Sequence, residues 1–256
     1  MAAAGRRPFQ SKPPDVLTRR GRLIAALGIF LVTGGAGLPG VGPTESRVRV
    51  DVAAAPWSSI VRLQIPGVSR CTGVLIAPDL VATAAHCLWG RRLGHFAPAS
   101  AIHILAGYAD GAFTAHRVAA SVAVTPGYDP EGPAGAGSDI AVVTLAAALP
   151  GPALSLWDGP VPPGTPVMLA GYGQDRAEQL MADTGCTARS YGEGPDAQPI
   201  LIHTCAGTRG TSGGPLLARA PDGTWRVAGI QAAARPNAAG GAAVPAATVR
   251  ALLPPR

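Results

Sequence analysis

Lysine is confined to the start of the chain: of 21 basic residues in 256, Lys12 is the one lysine and the rest are arginine. Beside the abundant Ala, Gly and Pro, this bias reads as genomic base composition. Charge is scarce as well, at 14% of residues, and little of the net +6 belongs to the body of the protein. Six basic residues and one acid precede residue 23, which leaves 15 basic and 14 acidic residues beyond it. A nearly neutral body removes the argument from a pI of 9.7 to nucleic-acid binding, and none is expected. Apolar runs of bilayer length are missing too. Leu23–Val32 spans about half of the ~20 residues a membrane helix needs, and glycines and Pro39 soon follow it. A basic run followed by that short apolar run reads as an export signal, so residues 1–41 are expected to be a signal peptide or, if uncleaved, an N-terminal anchor. Arg19-Arg20 fits a twin-arginine signal poorly, because Arg22 stands where an apolar residue belongs. The expected location is secreted or periplasmic, with membrane contact limited to an uncleaved anchor.

No C-x-x-C spacing occurs, which argues against zinc, and no metal or cofactor is expected. Four cysteines in an exported chain read instead as two disulfides. The pairing Cys71–Cys87 and Cys186–Cys205 closes one short loop in each half of the chain, each stabilising by roughly 3 kcal/mol in the chain-entropy model. Helical periodicity is rare apart from "ATVRALL" near the end. Thirty-four glycines and 26 prolines punctuate short runs such as "SSIVRLQI", "CTGVLIA", "DIAVVTL", "PVMLAGYG", "PLLAR" and "TWRVAGIQAA", which read as strands. The proline-rich stretch near 148–166 divides them into two groups. The expected organisation is an all-β chain: residues 42–148 and 166–256 as two β domains, 149–165 as linker, and a short C-terminal helix. Closed barrels are one way to leave no open strand edge.

What is present is a reactive-looking serine. "RGTSGGPLL" (209–217) sets Ser212 among residues with almost no side chain, which permits a tight bend and close approach to another molecule. Alone it is equally a turn between strands. A serine hydroxyl needs a base, and the base needs an orienting group. "VATAAHCLWG" supplies His86 beside a disulfide cysteine, and "GSDIAVVTL" supplies Asp139 at the head of an apolar strand. Asp129 in "PGYDP" competes for that role but reads as a turn residue. His95, His103 and His116 lack partners at a recognisable spacing, and Trp57, Trp89, Trp157 and Trp225 read as packing residues.

The segments "CTGVLIAPDLVATAAHC", "YDP…GSDIAVVTL", "GTSGGPLL" and "WRVAGI", in that order, resemble the trypsin-like serine peptidases of chymotrypsin fold, in a bacterial secreted, V8-like form. The resemblance implies two six-stranded antiparallel Greek-key barrels with the site between them. It makes His86 the general base, Asp139 its orienting acid and Ser212 the nucleophile, with the N–H groups of Gly210 and Ser212 as oxyanion hole. A polypeptide is the implied substrate, and a monomer is expected. Thr211 departs from relatives that place aspartate there to pair with a newly cut N-terminus, so no such activation step is expected; residues 42–56 read as a small pro-segment or as a wrap over the second barrel. Ala232 replaces a serine of many relatives, which keeps a catalytically silent binding module as the alternative. The implied substrate pocket involves Ala206, Arg209, Gln231, Ala232 and Ala234. No acid lies between Cys205 and Ser212 or from Ala228 to Val249, so a basic side chain would be unpaired there. Gln231 stands where glutamate-specific relatives have histidine, while His203 reads as a strand histidine and Arg209 as a surface residue. A small or apolar residue before the cleaved bond is the expectation.

Overall fold

Alternation decides which face of each strand is buried. In Ile60–Ile65, Val61, Leu63 and Ile65 point into one apolar cluster, while Ile60 belongs to another on the opposite face. The computed structural model describes residues 38–132 and 137–254, and these carry fifteen strands. The expected signal or anchor lies almost wholly outside the described residues. The strands run β1 (Arg47–Arg49), β2 (Ile60–Ile65), β3 (Ser69–Ala77), β4 (Leu80–Thr83), β5 (Trp89–Gly90), β6 (His95–Phe96), β7 (His103–Ala106), β8 (Ala115–Val124) and β9 (Ala141–Leu145). After the proline-rich stretch come β10 (Pro166–Gly171), β11 (Met181–Glu193), β12 (Pro199–His203), β13 (Pro215–Arg219), β14 (Trp225–Ala234), β15 (Gly241–Pro245) and the helix α1 (Ala246–Ala251).

Two closed antiparallel barrels result, as expected. The first has the order β2-β3-β4-β9-β8-β7. The second runs β11-β10-β13-β14-β15-β12 and closes through the β11–β12 pair, with β1 added outside β11. The chain before the first barrel is therefore stitched to the second. Arg47, 5% exposed, supports that docking by bridging Glu45 at 2.9 Å and Asp175 at 2.7 Å.

Two strands lie where the sequence showed no apolar alternation. β11, "MADTGCTARSYGE", carries Asp183, Thr184 and Gly185 in its first half, and β15 is nearly all small residues. Pairing on both sides holds them: β11 between β10 and β12, β15 between β14 and β12. Tertiary context overrides a weak local preference here.

Each barrel encloses its own apolar cluster, and two more lie between them, the smaller joining Ile60 and Leu105 to Ala170, Tyr172, Leu180 and Ala182. In the larger, Val74, Leu80, Ile140 and Val142 from the first barrel meet Met168, Leu217, Val227, Ile230 and Val249 from the second. The connecting stretch is laid into this seam. Leu154 N–H donates to Leu75 O at 2.9 Å, and Trp157 N–H to Val227 O at 2.9 Å. Leu217→Ala, in this seam and fully buried, should cost about 3 kcal/mol. Urea unfolding of the variant should show a lower midpoint in a single transition; two separate transitions would mean that the seam does not couple the barrels.

Candidate active site

A buried carboxylate organises one side of the cleft. Asp139, 3% exposed, precedes β9, and His86 sits in the 3-10 turn Ala85–Leu88 after β4. One carboxylate oxygen accepts the His86 backbone N–H at 2.8 Å, and the other lies 2.5 Å from His86 Nδ1. With Nδ1–H donating to the carboxylate, the neutral ring presents Nε2 as a base. The disulfide Cys71–Cys87 ties the turn that carries His86 to the start of β3. Cys186–Cys205 forms as well, so both expected pairings are present. The close group Cys71, His86 and Cys87 offers no thiolate for a metal, because its two sulfurs are bonded to each other.

The serine loop is fixed from both barrels. Thr72 of β3 donates its N–H to Ser212 O at 2.9 Å and its hydroxyl to Gly210 O at 2.8 Å, while its own Oγ1 accepts the Tyr172 N–H at 2.9 Å. From the second barrel, Gly213 N–H donates to Gln231 O at 2.8 Å, and Gln231 N–H returns a bond to Gly214 O at 2.9 Å. Thr211 N–H bonds Thr208 O at 3.0 Å, so the bend at the departing position is closed locally. Glycine is required at two points. Gly210 has φ +93 and a Cβ there would come 2.4 Å from Tyr172 O; Gly213 has φ +79 and its Cβ would lie 2.2 Å from Thr72 O. The N–H groups of Gly210 and Ser212 meet no acceptor among the described residues. His86, Ser212, Gly210 and Arg209 all line one cleft of about 830 Å³.

The other expected site residues lie behind this loop. Gln231, 2% exposed, accepts from His203 Nε2 at 2.7 Å and donates its Nε2 to Ala233 O at 2.9 Å; His203 Nδ1 accepts the Cys205 N–H at 3.2 Å. Burial lowers the His203 pKa from 6.5 to about 4, against smaller upward pulls from Gln231 and Asp183, so the ring is neutral. Ala206 and Ala232 are buried, and Ala234 is exposed. The turn at residues 38–42 rests against the same wall, where Gly40 O accepts the Gly207 N–H at 2.9 Å.

Several participants gave no signal in the sequence. Asp183, in β11, accepts the Ala206 N–H at 2.8 Å, the Ser46 hydroxyl at 3.0 Å and the Gly185 N–H at 3.1 Å, placing an engaged carboxylate behind the pocket wall. Asp196, in the β11–β12 turn and 58 residues from Ser138, accepts the Ser138 hydroxyl at 2.6 Å and the Gly137 and Ser138 N–H groups at 2.9 Å each. Desolvation opposes its ionisation, yet those bonds and the Gln198 N–H hold its carboxyl below the ordinary range. Tyr128 is pushed up by burial and by the nearby Asp139 charge, so it remains a protonated phenol. Asp129 is a turn residue, accepting the Glu131 N–H at 2.9 Å. His103 and His116 do have a partner: they stack on adjacent strands, with ring nitrogens 2.9 Å apart, away from this cleft. Their thirteen-residue separation hid a diagonal cross-strand contact.

Residues 48–253 match the family model described as Trypsin. Chymotrypsin-like elastase family member 3B of Homo sapiens is 27% identical over 248 residues, covering 82% of this chain and 86% of that protein. The solved structure of a Glu endopeptidase in complex with MPD has a TM-score of 0.67 at 21% identity, with 82% of this chain and 96% of that chain covered. The VesB protease of Vibrio cholerae gives 0.61 at 22%, covering 80% and 65%.

Two outcomes follow from the buried network. Because the folded His203 pKa lies below its unfolded value, stability is full above about pH 6.5 and falls as pH drops toward about 4, by roughly 3 kcal/mol. His203→Gln should flatten that part of the stability curve; an unchanged slope would remove His203 as its source. Asp196→Ala should cost about 1–3 kcal/mol in urea unfolding and speed hydrogen exchange at the Ser138 amide. Unaltered exchange would show that Asp196 does not hold the segment before Asp139.

Proposed function

We propose, on the premise that the chain belongs to the trypsin family of serine peptidases, that it is an exported endopeptidase acting through Ser212, His86 and Asp139. The observation that carries this reading is the pair of bonds from His86 to the buried Asp139 carboxylate, in the cleft that Ser212 also lines.

The chemistry follows from those groups. His86 Nε2 takes the Ser212 proton as Oγ attacks the peptide carbonyl, and Asp139 stabilises the imidazolium that forms. The Gly210 and Ser212 N–H groups receive the developing oxyanion. The imidazolium then protonates the departing amine, leaving an acyl-serine. Water, deprotonated by the same histidine, releases the acid. No metal or cofactor enters these steps.

A small or apolar residue is proposed before the scissile bond. The neutral His203–Gln231 pair offers no cation to an acidic side chain, and the Asp183 oxygens already accept three donors. Activation by a new N-terminus is not part of the proposal, since Thr211 supplies no charge and the loop is closed by local hydrogen bonds. The alternative, a silent module, draws on Ala232 and on a short pocket loop.

Cleavage of a diverse peptide library is the test. Ser212→Ala and His86→Ala should each lower kcat by a factor on the order of 10⁴ to 10⁶ while the circular dichroism spectrum is retained. Variant turnover within tenfold of wild type would end the triad assignment. Chains beginning at Leu38 and at Gly42, with or without a two-residue extension, should all turn over on oxidative folding; turnover appearing only after one defined proteolytic cut would overturn the reading of Thr211.

A further inference from the structure

The cleft that holds Ser212 and His86 has a charge of one sign around it. Arg70, Arg91, Arg92 and Arg209 line it, and none of its lining residues is Asp or Glu. All four arginines are exposed. None has a carboxylate oxygen within 4.0 Å among the described residues. Exposed arginines outside the cleft divide evenly: Arg49, Arg176 and Arg250 have carboxylate partners and Arg189, Arg219 and Arg235 have none within 4.0 Å among the described residues, so what distinguishes the cleft is four arginines gathered with no acid in its lining. A contiguous groove of about 640 Å³ shares the Pro66–Arg70 segment and Gln174 with this cleft, and it also lacks an acid among its lining residues. Its own Arg62 is engaged, 3.3 Å from Glu178 and stacked 4.0 Å over the Tyr108 ring. That leaves Arg91, Arg92 and Arg209 with no ion pair among the described residues, while Arg70, also without a direct pair, acts at longer range on Glu178.

The direction of a bound chain follows from what the cleft omits. Of the residues assigned to the acyl half of a substrate, the cleft touches Arg209, at its border, and none of Ala206, Gln231, Ala232 and Ala234. Beyond Ser212 it runs instead past the Cys71–Cys87 disulfide toward Pro66–Arg70 on one side and Trp89–Leu93 on the other. A substrate extended across the serine must place its leaving half there. Arginines at that position hold forked, permanently charged donors suited to carboxylates.

We infer that this arginine-lined half of the cleft selects acidic side chains in the first few residues after the scissile bond. The inference rests on the peptidase reading of Ser212 and gives its substrate class. Exposed charges act mainly through encounter and orientation, so the preference weakens with salt as the Debye length contracts from about 10 Å at 0.1 M to about 3 Å at 1 M.

The test uses quenched-fluorescent peptides that share the best acyl-side sequence from the library and carry Asp/Glu, Ala or Lys at the first three leaving-side positions, beside a p-nitroanilide with no leaving-side residues. At low salt, kcat/KM should be about tenfold or more higher for the acidic than for the lysine peptide, and the ratio should shrink toward one at 1 M NaCl. Arg91→Glu with Arg92→Glu should lower or invert the ratio; if that variant fails to fold, the wild-type ratio and its salt dependence decide. Cleavage of the p-nitroanilide with equal or lysine-favouring rates on the peptides would overturn this inference alone. No cleavage of any substrate would overturn the peptidase reading and the inference with it.

Discussion

A carboxylate taken almost fully out of water must be met by donors, because an unpaired buried charge costs several kcal/mol. Asp139 finds two of them on one residue, the backbone N–H and the ring Nδ1 of His86. That arrangement fixes where the ring lies and which nitrogen is left basic. The rest of the architecture holds its two halves in register. The Cys71–Cys87 bridge braces the turn bearing His86, and Asp196 from the second barrel clamps the residues just before Asp139. The serine loop belongs to the second barrel but is bonded to the first through Thr72. The placement of Ser212 relative to His86 therefore depends on the apolar seam that joins the barrels, where strands buried on both faces leave little freedom to shift.

The electrostatics of the two sides of the serine differ. Behind the serine loop, His203 and Gln231 bond each other and Asp183 accepts from Ala206, Ser46 and Gly185, so the wall is polar in composition yet offers no free charge. The cleft itself is lined by four exposed arginines, Arg70, Arg91, Arg92 and Arg209, and by no acid. Selectivity of this protein is thus expected to be weak in charge before the cleaved bond and strong after it.

Much of this was legible in the chain. Ser212, His86 and Asp139 announce themselves because each is embedded in a short local pattern: small residues about a bend, a histidine beside a cysteine, an acid at the head of a β-branched strand. The disulfide pairing was legible from spacing, and the two strand groups from the intervening prolines. β11 was not, since Asp183, Thr184 and Gly185 break its alternation and only its neighbours make it a strand. Asp196, Thr72 and Asp183 were hidden for a related reason. Their partners are far away in sequence, and a polar residue in a strand or turn has the same local appearance whether it is solvated or clamps a distant segment. The arginines were visible as residues, but a charge excess confined to one cleft is a property of the folded surface.

The central claim is that Ser212 is activated by the His86–Asp139 pair. Its most direct measurement is reaction of the oxidised, folded protein with a fluorophosphonate, followed by mass-spectrometric mapping of the modified peptide. One adduct should form, on Ser212, more slowly in Asp139→Asn and not at all in His86→Ala. A folded protein that takes no label, or takes it equally fast without His86, would contradict it.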